Sequence, residues 1–342
     1  MPARQAVAVT IRVWHGTGNI FVIPQDMKGK EVSLHFEGAM GKQVIYLNGK
    51  RVQEHLGGYL FTVQLTEQGV QPGDSCLLAV MTDNSDDKNF PPGKRQYTLD
   101  FAYHGGIYRD VWMIGKSSVA ITDALEADKV AGGGVFVHFD NISGKKAEVY
   151  VDTEVHNSGK RTRTVAVETV LVDAGDVPVK RVSQQVKLQA GESKTVRQRF
   201  AVRNPKLWSP DSPYLYRIQS RVKAGHEVLD GGVTRVGIRK AEFKGKDGFW
   251  LNGKPFGQLV GANRHQDFAY VGNALPNSQQ WRDAKRLRDA GCTIIRVAHY
   301  PQDPAFMDAC DEMGLFVIVA TPGWQYWNKK SGVRKVGTSE YP

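Results

Sequence analysis

Alternating apolar and polar residues fill roughly the first 240 positions of this 342-residue sequence, and a different pattern follows after about residue 244. Val32, Leu34 and Phe36 alternate with polar neighbours, which is typical of a strand with one buried face. The Asn48-Gly49 pair lies between strand-forming residues and is a strong hairpin signal. With further turn signals at similar spacing, the pattern predicts a jelly-roll β-sandwich over residues 1–118.

A second series of short strands occupies residues 119–243. Val149, Val151 and Val155 alternate with polar residues, and a similar run lies between residues 165 and 171. Gly, Asn or Asp lies near the end of each run. The size and the period of this segment predict an immunoglobulin-like β-sandwich, although the Cys–Trp–Cys pattern of antibody domains is not present.

Residues 244–342 form a third segment, in which strands and helices alternate. Ser278 is expected to cap its first helix, while Asp303-Pro304 and Gly314 bound the second. The strands are nearly continuous in apolar residues, which predicts buried parallel strands in βαβ units. The predicted order is strand, helix, strand, helix, strand, at residues 256–262, 278–290, 293–298, 303–313 and 315–320.

Composition excludes several classes of protein. The net charge of +10 is scattered along strands and turns, so the sequence gives no basic stripe for a nucleic-acid partner. No apolar run is long enough for a membrane helix, and the first residues lack the apolar core of a signal peptide. The compartment is left undetermined. Cys76, Cys292 and Cys310 are widely spaced and are expected to be buried thiols.

Polar and aromatic residues follow each predicted strand of the third segment. Asn263-Arg264-His265 comes directly after the first strand, Arg296 and His299 lie at the end of the second, and residues 321–324 follow the third. The carboxyl ends of parallel strands form the edge at which such sheets bind ligands. We therefore expect a substrate site at this edge.

Several sequence motifs then resemble glycoside hydrolase family 2. The stretch TIIRVAHYPQDPAFMDACDEMGLFVI (293–318) is similar to the signature of that family, whose centre is Arg, two small residues and His-Tyr-Pro. Thr293 and Val297 depart from the usual signature residues. Three further stretches resemble the family in its domain order: GGIYRDVWM (105–113), PKLWSPDSPYLY (205–216) and GANRHQD (261–267). A fourth, PGWQYWN (322–328), resembles a loop of its β-galactosidase-like branch.

The resemblance implies a role for individual residues in binding a β-galactoside. Asp100 matches an Asp that reaches from the jelly roll into the galactose site, and His265 and His299 match histidines that contact the sugar. Arg296 matches an Arg that keeps the nucleophilic carboxylate ionised. Trp324 could stack on a sugar ring or act as a structural lid. Together with Asn263 and Arg264, these are the predicted substrate-binding residues.

The resemblance also implies the fold and the cofactors. It predicts a jelly-roll β-sandwich, an immunoglobulin-like β-sandwich and the first three β/α units of a (β/α)8 TIM barrel, which stays incomplete within residues 244–342. Residues 320–321 lack the acidic pair that begins the magnesium site of the family, so no metal is expected there. Met40 replaces a sugar-contacting Asn.

The predicted reaction is retaining hydrolysis of terminal β-galactosides, which needs two carboxylates about 5 Å apart. The family takes both from Glu residues on later barrel strands, whereas from residue 251 onward this sequence has only Glu312 and Glu340. We therefore expect the activity in a complete protein and not in these 342 residues. The alternative functions are those of a β-glucuronidase, a β-mannosidase or a non-catalytic carbohydrate-binding protein. A homo-oligomer of the complete protein also stays open.

Overall fold

A computed structural model describes residues 9–10, 18–87, 95–99 and 101–320. Its first part, here called the N-terminal sandwich, has two four-stranded antiparallel sheets, β1-β10-β3-β7 and β2-β8-β5-β6, and a short pair, β4-β9. The ten strands are β1 Val9–Thr10, β2 Asn19–Val22, β3 Glu31–Phe36, β4 Ala39–Met40, β5 Lys42–Leu47, β6 Lys50–Leu56, β7 Phe61–Gln64, β8 Ser75–Asp83, β9 Gly106–Ile107 and β10 Val111–Lys116.

The inner faces of the two larger sheets share one apolar core. Val32, Leu34 and Phe36 of β3 are buried in it, as their alternation predicts, and they pack in one cluster with residues of β5 and β8 such as Ile45 and Leu78. The predicted hairpin between β5 and β6 is confirmed. Its two turn residues have φ angles of 51° and 78°, a left-handed pair that Asn and Gly adopt readily.

The second part, here called the central sandwich, contains eight strands. Strand β13 pairs with β11, β12 and β16, and the facing sheet has the order β15-β14-β17-β18. Val149, Val151 and Val155 are fully buried between the sheets. The jelly-roll and immunoglobulin-like topologies themselves stay predictions. The strands are β11 Val119–Ile121, β12 Val135–Asp140, β13 Lys146–Asn157, β14 Arg163–Val172, β15 Pro178–Leu188, β16 Ser193–Arg203, β17 Tyr216–Ala224 and β18 Glu227–Val236.

The third part begins with a small antiparallel sheet and continues as a parallel β/α unit. The predicted parallel order is confirmed, because β22, β23 and β24 pair in parallel and α1 and α2 connect them. The elements are β19 Ala241–Phe243, β20 Phe249–Leu251, β21 Lys254–Pro255, β22 Gly261–Arg264, α1 Asn277–Asp289, β23 Ile294–Val297, α2 Pro304–Met313 and β24 Phe316–Val319. Short 3-10 helices span Gln25–Met27, Thr66–Gln68, Gln96–Thr98 and Gly245–Asp247. Neither α-helix in the described ranges is long and apolar enough to cross a bilayer.

Helix α2 has the predicted boundaries, and α1 does not. The Asp303 carboxylate accepts a hydrogen bond from the Ala305 N–H, and Gly314 ends the helix in the left-handed conformation. The prediction that Ser278 caps α1 is wrong. The cap residue is Pro276, which offers no side-chain oxygen, and its carbonyl accepts from the Gln279 N–H.

The first and third predicted parallel strands also need correction. Strand β22 begins at Gly261, so the apolar run before it is mostly not paired. The prediction that the third strand is buried is wrong, since Ile318 and Val319 are 50% and 51% exposed. Within the described ranges β24 pairs only with β23, and helices α1 and α2 pack against the central strand.

A buried tryptophan joins the central sandwich to the parallel unit. The Trp208 side chain is 2% exposed, and its indole N–H donates to the Asp311 carbonyl of α2 over 2.9 Å. Its ring makes an edge-to-face contact with Phe316, which also touches the rings of Phe249 and Phe256 at the amino ends of the parallel strands. This aromatic cluster packs at the amino end of the parallel sheet, so it does not cover the carboxyl end, where the predicted site residues lie.

We expect Trp208→Ala to lower the free energy of unfolding by about 3–5 kcal/mol, because it empties a large buried volume and leaves the Asp311 carbonyl unpaired. Limited proteolysis should then cut first within residues 249–320. Trp250→Ala is the matched control, since that indole is only half-buried and bonds locally to Asp247. Urea unfolding measures both variants. An equal loss of unfolding free energy in the two would contradict the conclusion that Trp208 joins the central sandwich to the parallel unit.

Candidate functional site

The carboxyl ends of β22 and β23 bring the predicted histidines and arginine together. Asn263 pairs with Arg296 in the parallel register, so the two strands end side by side. Beyond them the imidazole rings of His265 and His299 meet edge to face, with centroids 5.3 Å apart. The rim therefore carries two imidazoles and one guanidinium in direct contact, which is a set of groups suited to sugar hydroxyls.

Arg296 fixes the tautomer of His299. The Arg296 Nη1 lies 3.3 Å from the His299 Nδ1. A guanidinium can only donate, so Nδ1 accepts and the ring proton is on Nε2. The Arg296 contact thus orients the His299 ring, and both side chains are half-buried at the rim.

Arg264, a predicted substrate-binding residue, lies beneath the rim and not on its open side. Its side chain is 5% exposed and donates to the Gln280 and Asp283 side chains of α1 over 2.8 and 2.7 Å. It also donates to Gln302 and stacks over the Phe306 ring at 4.0 Å. Neighbouring residues of a strand face opposite sides, so Arg264 points to the helices while Asn263 points away from them.

A second layer of aromatic residues supports the histidines. The Tyr300 hydroxyl accepts from the Gln266 N–H over 3.2 Å, and burial raises the pKa of Tyr300 to about 12. Phe101, from the N-terminal sandwich, contacts the rings of His299 and Tyr300 at centroid distances of 5.7 and 5.5 Å. The peptide bond that joins Ala298 to His299 is cis.

Arg109 of the N-terminal sandwich reaches into the parallel unit, and the sequence analysis did not identify it as a site residue. Its side chain is 4% exposed. Its guanidinium donates to the Pro301 carbonyl over 2.8 Å and to the Gln266 side chain over 3.4 Å, and it faces the Asp303 carboxylate at 3.9 Å. Gln266 follows His265 and Pro301 follows Tyr300, so one cation holds both rim loops. The sequence signal that could have identified Arg109 is the GGIYRDVWM motif, which contains it.

Two further contacts close the same junction. The Asn277 amide at the start of α1 donates to Asp110 over 3.2 Å. Gly272 has a φ of +56°, and a Cβ placed there would lie 2.5 Å from the His104 ring. Only a glycine allows the loop after β22 to approach the sandwich this closely. The candidate site therefore has walls from two different parts of the chain.

The other residues that were considered for the site lie elsewhere. Asp100 and Trp324 are outside the described residues. Asp267 is exposed near the rim, and Glu312 pairs with Arg235 of the central sandwich, on the far side of α2 from the strand ends. In the part of the chain that the structure describes, no group of three His, Cys, Asp or Glu side chains is arranged to hold a metal ion.

Comparisons with known proteins give matches over most of the chain. The sequence model for glycosyl hydrolases family 2 matches residues 134–239, and the model for the TIM barrel domain of the same family matches residues 242–336. A beta-galactosidase from Thermoanaerobacter pseudethanolicus is 35% identical over 90% of this chain and 39% of its own length. A beta-glucuronidase from Bacteroides fragilis is 30% identical over 94% of this chain and 45% of its own length.

Solved structures show the same relationship. The crystal structure of a putative beta-galactosidase from Bacteroides fragilis superposes with a TM-score of 0.80 and 31% identity, and the match covers 89% of this chain and 44% of that one. The chain spans about two fifths of the length of the curated relatives described above.

We expect Arg109→Ala to lower the free energy of unfolding by about 3–5 kcal/mol, since it leaves a buried carboxylate without its cation. Arg109→Lys should recover only part of that loss, because an ammonium cannot reach both rim loops at once. Arg95→Ala, which removes an exposed arginine of the same sandwich, is the control. Urea unfolding at neutral pH measures all three.

The loss in Arg109→Ala should grow with pH. Burial raises the pKa of Asp303, while the Ala305 N–H and Arg109 lower it. A carboxyl whose pKa is raised on folding binds more protons in the folded state, so stability falls as pH rises above its unfolded value of about 4. Removing Arg109 raises the folded pKa further, so the gap between variant and parent should widen from about pH 4 to pH 7. In an Asp303→Asn background the gap should change much less with pH, and the remaining change should come from Glu37, whose pKa Arg109 also lowers. A gap that widens there as much as in the parent background would contradict the assignment.

Proposed function

The chain belongs to glycosyl hydrolase family 2, and from that premise we propose that it forms the substrate-binding part of an enzyme that hydrolyses terminal non-reducing β-galactosides. The observation that carries this proposal is the cluster of His265, His299 and Arg296 at the carboxyl ends of two parallel strands. Relatives named beta-galactosidase cover most of the chain, which supports the choice of sugar.

The geometry suits the transition state of this reaction. Positive charge develops on the sugar ring, and groups that grip its hydroxyls more tightly at that point lower the barrier. Arg296 orients the His299 ring, and His265 lies against that ring from the neighbouring strand. Arg296 would hold a nearby nucleophilic carboxylate ionised. We assign Asp100 to the axial hydroxyl of galactose and Trp324 to one face of the ring, from their positions in the motifs.

A β-glucuronidase is the second candidate, and one observation favours it. Arg296 is a half-buried guanidinium on the rim, where it could pair with the carboxylate of a glucuronide. Relatives named beta-glucuronidase also match most of the chain. Parallel kinetics on nitrophenyl galactoside and nitrophenyl glucuronide in the complete enzyme distinguish the two sugars, and a preference for the glucuronide would overturn the galactosidase proposal.

We expect the purified 342-residue chain to release no nitrophenol from nitrophenyl galactoside above the buffer rate. From residue 251 onward it has only Glu312 and Glu340, and Glu312 is bound to Arg235 away from the rim. Retaining hydrolysis needs two carboxylates at the bond. An Asp267→Ala variant is the control for a contribution from the exposed rim carboxylate. Turnover that survives repurification in both forms would contradict this expectation.

In the complete enzyme, we expect His299→Ala to lower kcat/KM roughly a hundredfold with little change in Tm, since losing one hydrogen bond that strengthens in the transition state commonly removes about 2–4 kcal/mol of transition-state stabilisation. His226→Ala is the matched control, because that imidazole is exposed in a turn of the central sandwich. A sharp fall in Tm with unchanged turnover per folded molecule would instead make His299 a structural residue.

A further inference from the structure

The two outer faces of the central sandwich differ in charge. On the sheet that contains β13 and β16, neighbouring strands place opposite charges side by side. Arg197 pairs with Asp152 over 3.4 Å, and Arg199 pairs with Glu148. The charges on that face therefore largely cancel.

The facing sheet is basic. At the outer positions of β14, β15 and β17, all of which the structure describes, Glu168 is the only carboxylate. Arg217 pairs with Asp176 in the turn before β15 and is thereby neutralised. Four further cations stand against the one carboxylate, so three positive charges are in excess. The four cations are Arg181, Lys187, Arg221 and Lys223.

Strand alternation produces this basic surface. Residues two positions apart point to the same side of a sheet, so Arg221 and Lys223 lie on one side of β17 while Val222 between them is buried in the core. On β15, Arg181 and Lys187 likewise lie on the outer side. In the sequence these cations look scattered because core residues separate them, whereas the folded sheet collects them on one surface.

Glu168 shows how this surface holds a carboxylate. Its side chain is 8% exposed and accepts a hydrogen bond from Arg181 over 3.1 Å, with Arg221 and Lys223 at 3.5 and 3.9 Å. Arg181 keeps 58% of its side chain exposed, so its remaining N–H donors face solvent. A guanidinium binds carboxylates through a fork of donors, and donors that Glu168 does not use can bind a carboxylate of a ligand.

The dimensions and the other side chains of the surface suit an extended polymer. Six residues of strand separate Arg181 from Lys187, a distance of about 20 Å, and β17 lies about 10 Å from β15 with β14 between them. Exposed hydroxyl and amide groups lie between the cations, on Thr164, Ser183 and Gln185. None of the described outer positions on these strands carries an aromatic ring on which a nucleic-acid base could stack. The surface therefore matches a chain that carries carboxylates and hydroxyls.

We propose that this surface, here called the basic face, binds a polyuronate, a polysaccharide whose sugar rings carry carboxylates, at a site separate from the strand ends. Release of counterions from the polymer and paired bonds from arginine to its carboxylates supply the affinity, and the hydroxyl and amide groups bind the ring hydroxyls. This binding goes beyond the proposed hydrolysis, and the choice of a glycan as the polyanion rests on the proposed function. The basic face holds the protein on an acidic polysaccharide while the strand-end site takes terminal galactose.

The test measures binding of the 342-residue chain to fluorescently labelled polygalacturonate at about 50 mM salt, with dextran as the neutral polymer. We expect binding of polygalacturonate and not of dextran, with an affinity that falls as salt rises. Arg181→Gln combined with Lys187→Gln should weaken that binding by about tenfold or more. Lys187→Gln alone, which leaves the contacts of Glu168 intact, is a milder second variant and should weaken binding in the same direction.

The matched control is Arg197→Gln combined with Arg203→Gln. These two arginines are exposed on the outer face of β16, with the same spacing along their strand as Arg181 and Lys187, and their removal changes the net charge equally. The control should keep the affinity of the parent chain. Melting curves verify that all variants fold.

Three results would overturn the proposal. They are equal weakening by the two double variants, which would reduce the effect to net charge, binding of dextran as tight as that of polygalacturonate, and displacement of polygalacturonate by duplex DNA or dextran sulfate at equal charge concentration. Hydrolysis of galactosides by the complete enzyme tests the proposed function separately. If polygalacturonate binding depends on Arg181 and Lys187 but no galactoside is hydrolysed, the basic face stands and the proposed function is wrong. If galactosides are hydrolysed but polygalacturonate does not bind, the proposed function stands and the basic face is wrong.

Discussion

A single buried cation, Arg109, holds the N-terminal sandwich against the parallel unit, and the shape of the site depends on it. Its partners are 157 and 192 residues away in sequence, on the two loops that carry the rim histidines. Burying a guanidinium without hydrogen-bond partners costs free energy. The two loops are therefore stable only in positions where their oxygen atoms accept its hydrogen bonds. The same cation stacks on the Tyr108 ring at 5.1 Å, which restricts its orientation.

The opposite end of the parallel sheet is held by apolar contacts. Trp208, Phe249 and the half-buried Phe316 form an aromatic cluster that depends mainly on buried area and fit. The rim is built from directional bonds, since Arg296, His299 and Tyr300 each have a defined partner. The sheet is thus fixed mainly by aromatic packing at its amino end and by hydrogen bonds at its carboxyl end, where the candidate site lies.

Local patterns in the sequence predicted much of this structure because local chemistry determines it. The Asn48-Gly49 turn, the alternation in β3 and the cap of α2 at Asp303 depend on residues within a few positions of each other. The burial of Arg264 against the helices was not predicted, because strand parity near a strand end decides which side it faces. Arg109 and Phe101 were missed because their partners lie in another domain, and the exposure of β24 depends on its neighbours in space.

The Asp303 carboxylate makes two contacts: it caps α2, and it faces the Arg109 guanidinium. This double use has a consequence for how such chains can be recombined. An N-terminal sandwich taken from a relative will dock on this parallel unit only if it brings an arginine at the matching position, whereas a change of Asp303 alone frays a helix as well as a junction. Chimaeras should therefore exchange the sandwich together with the loops at 266 and 301–303, so that the unit of exchange is the junction and not the domain.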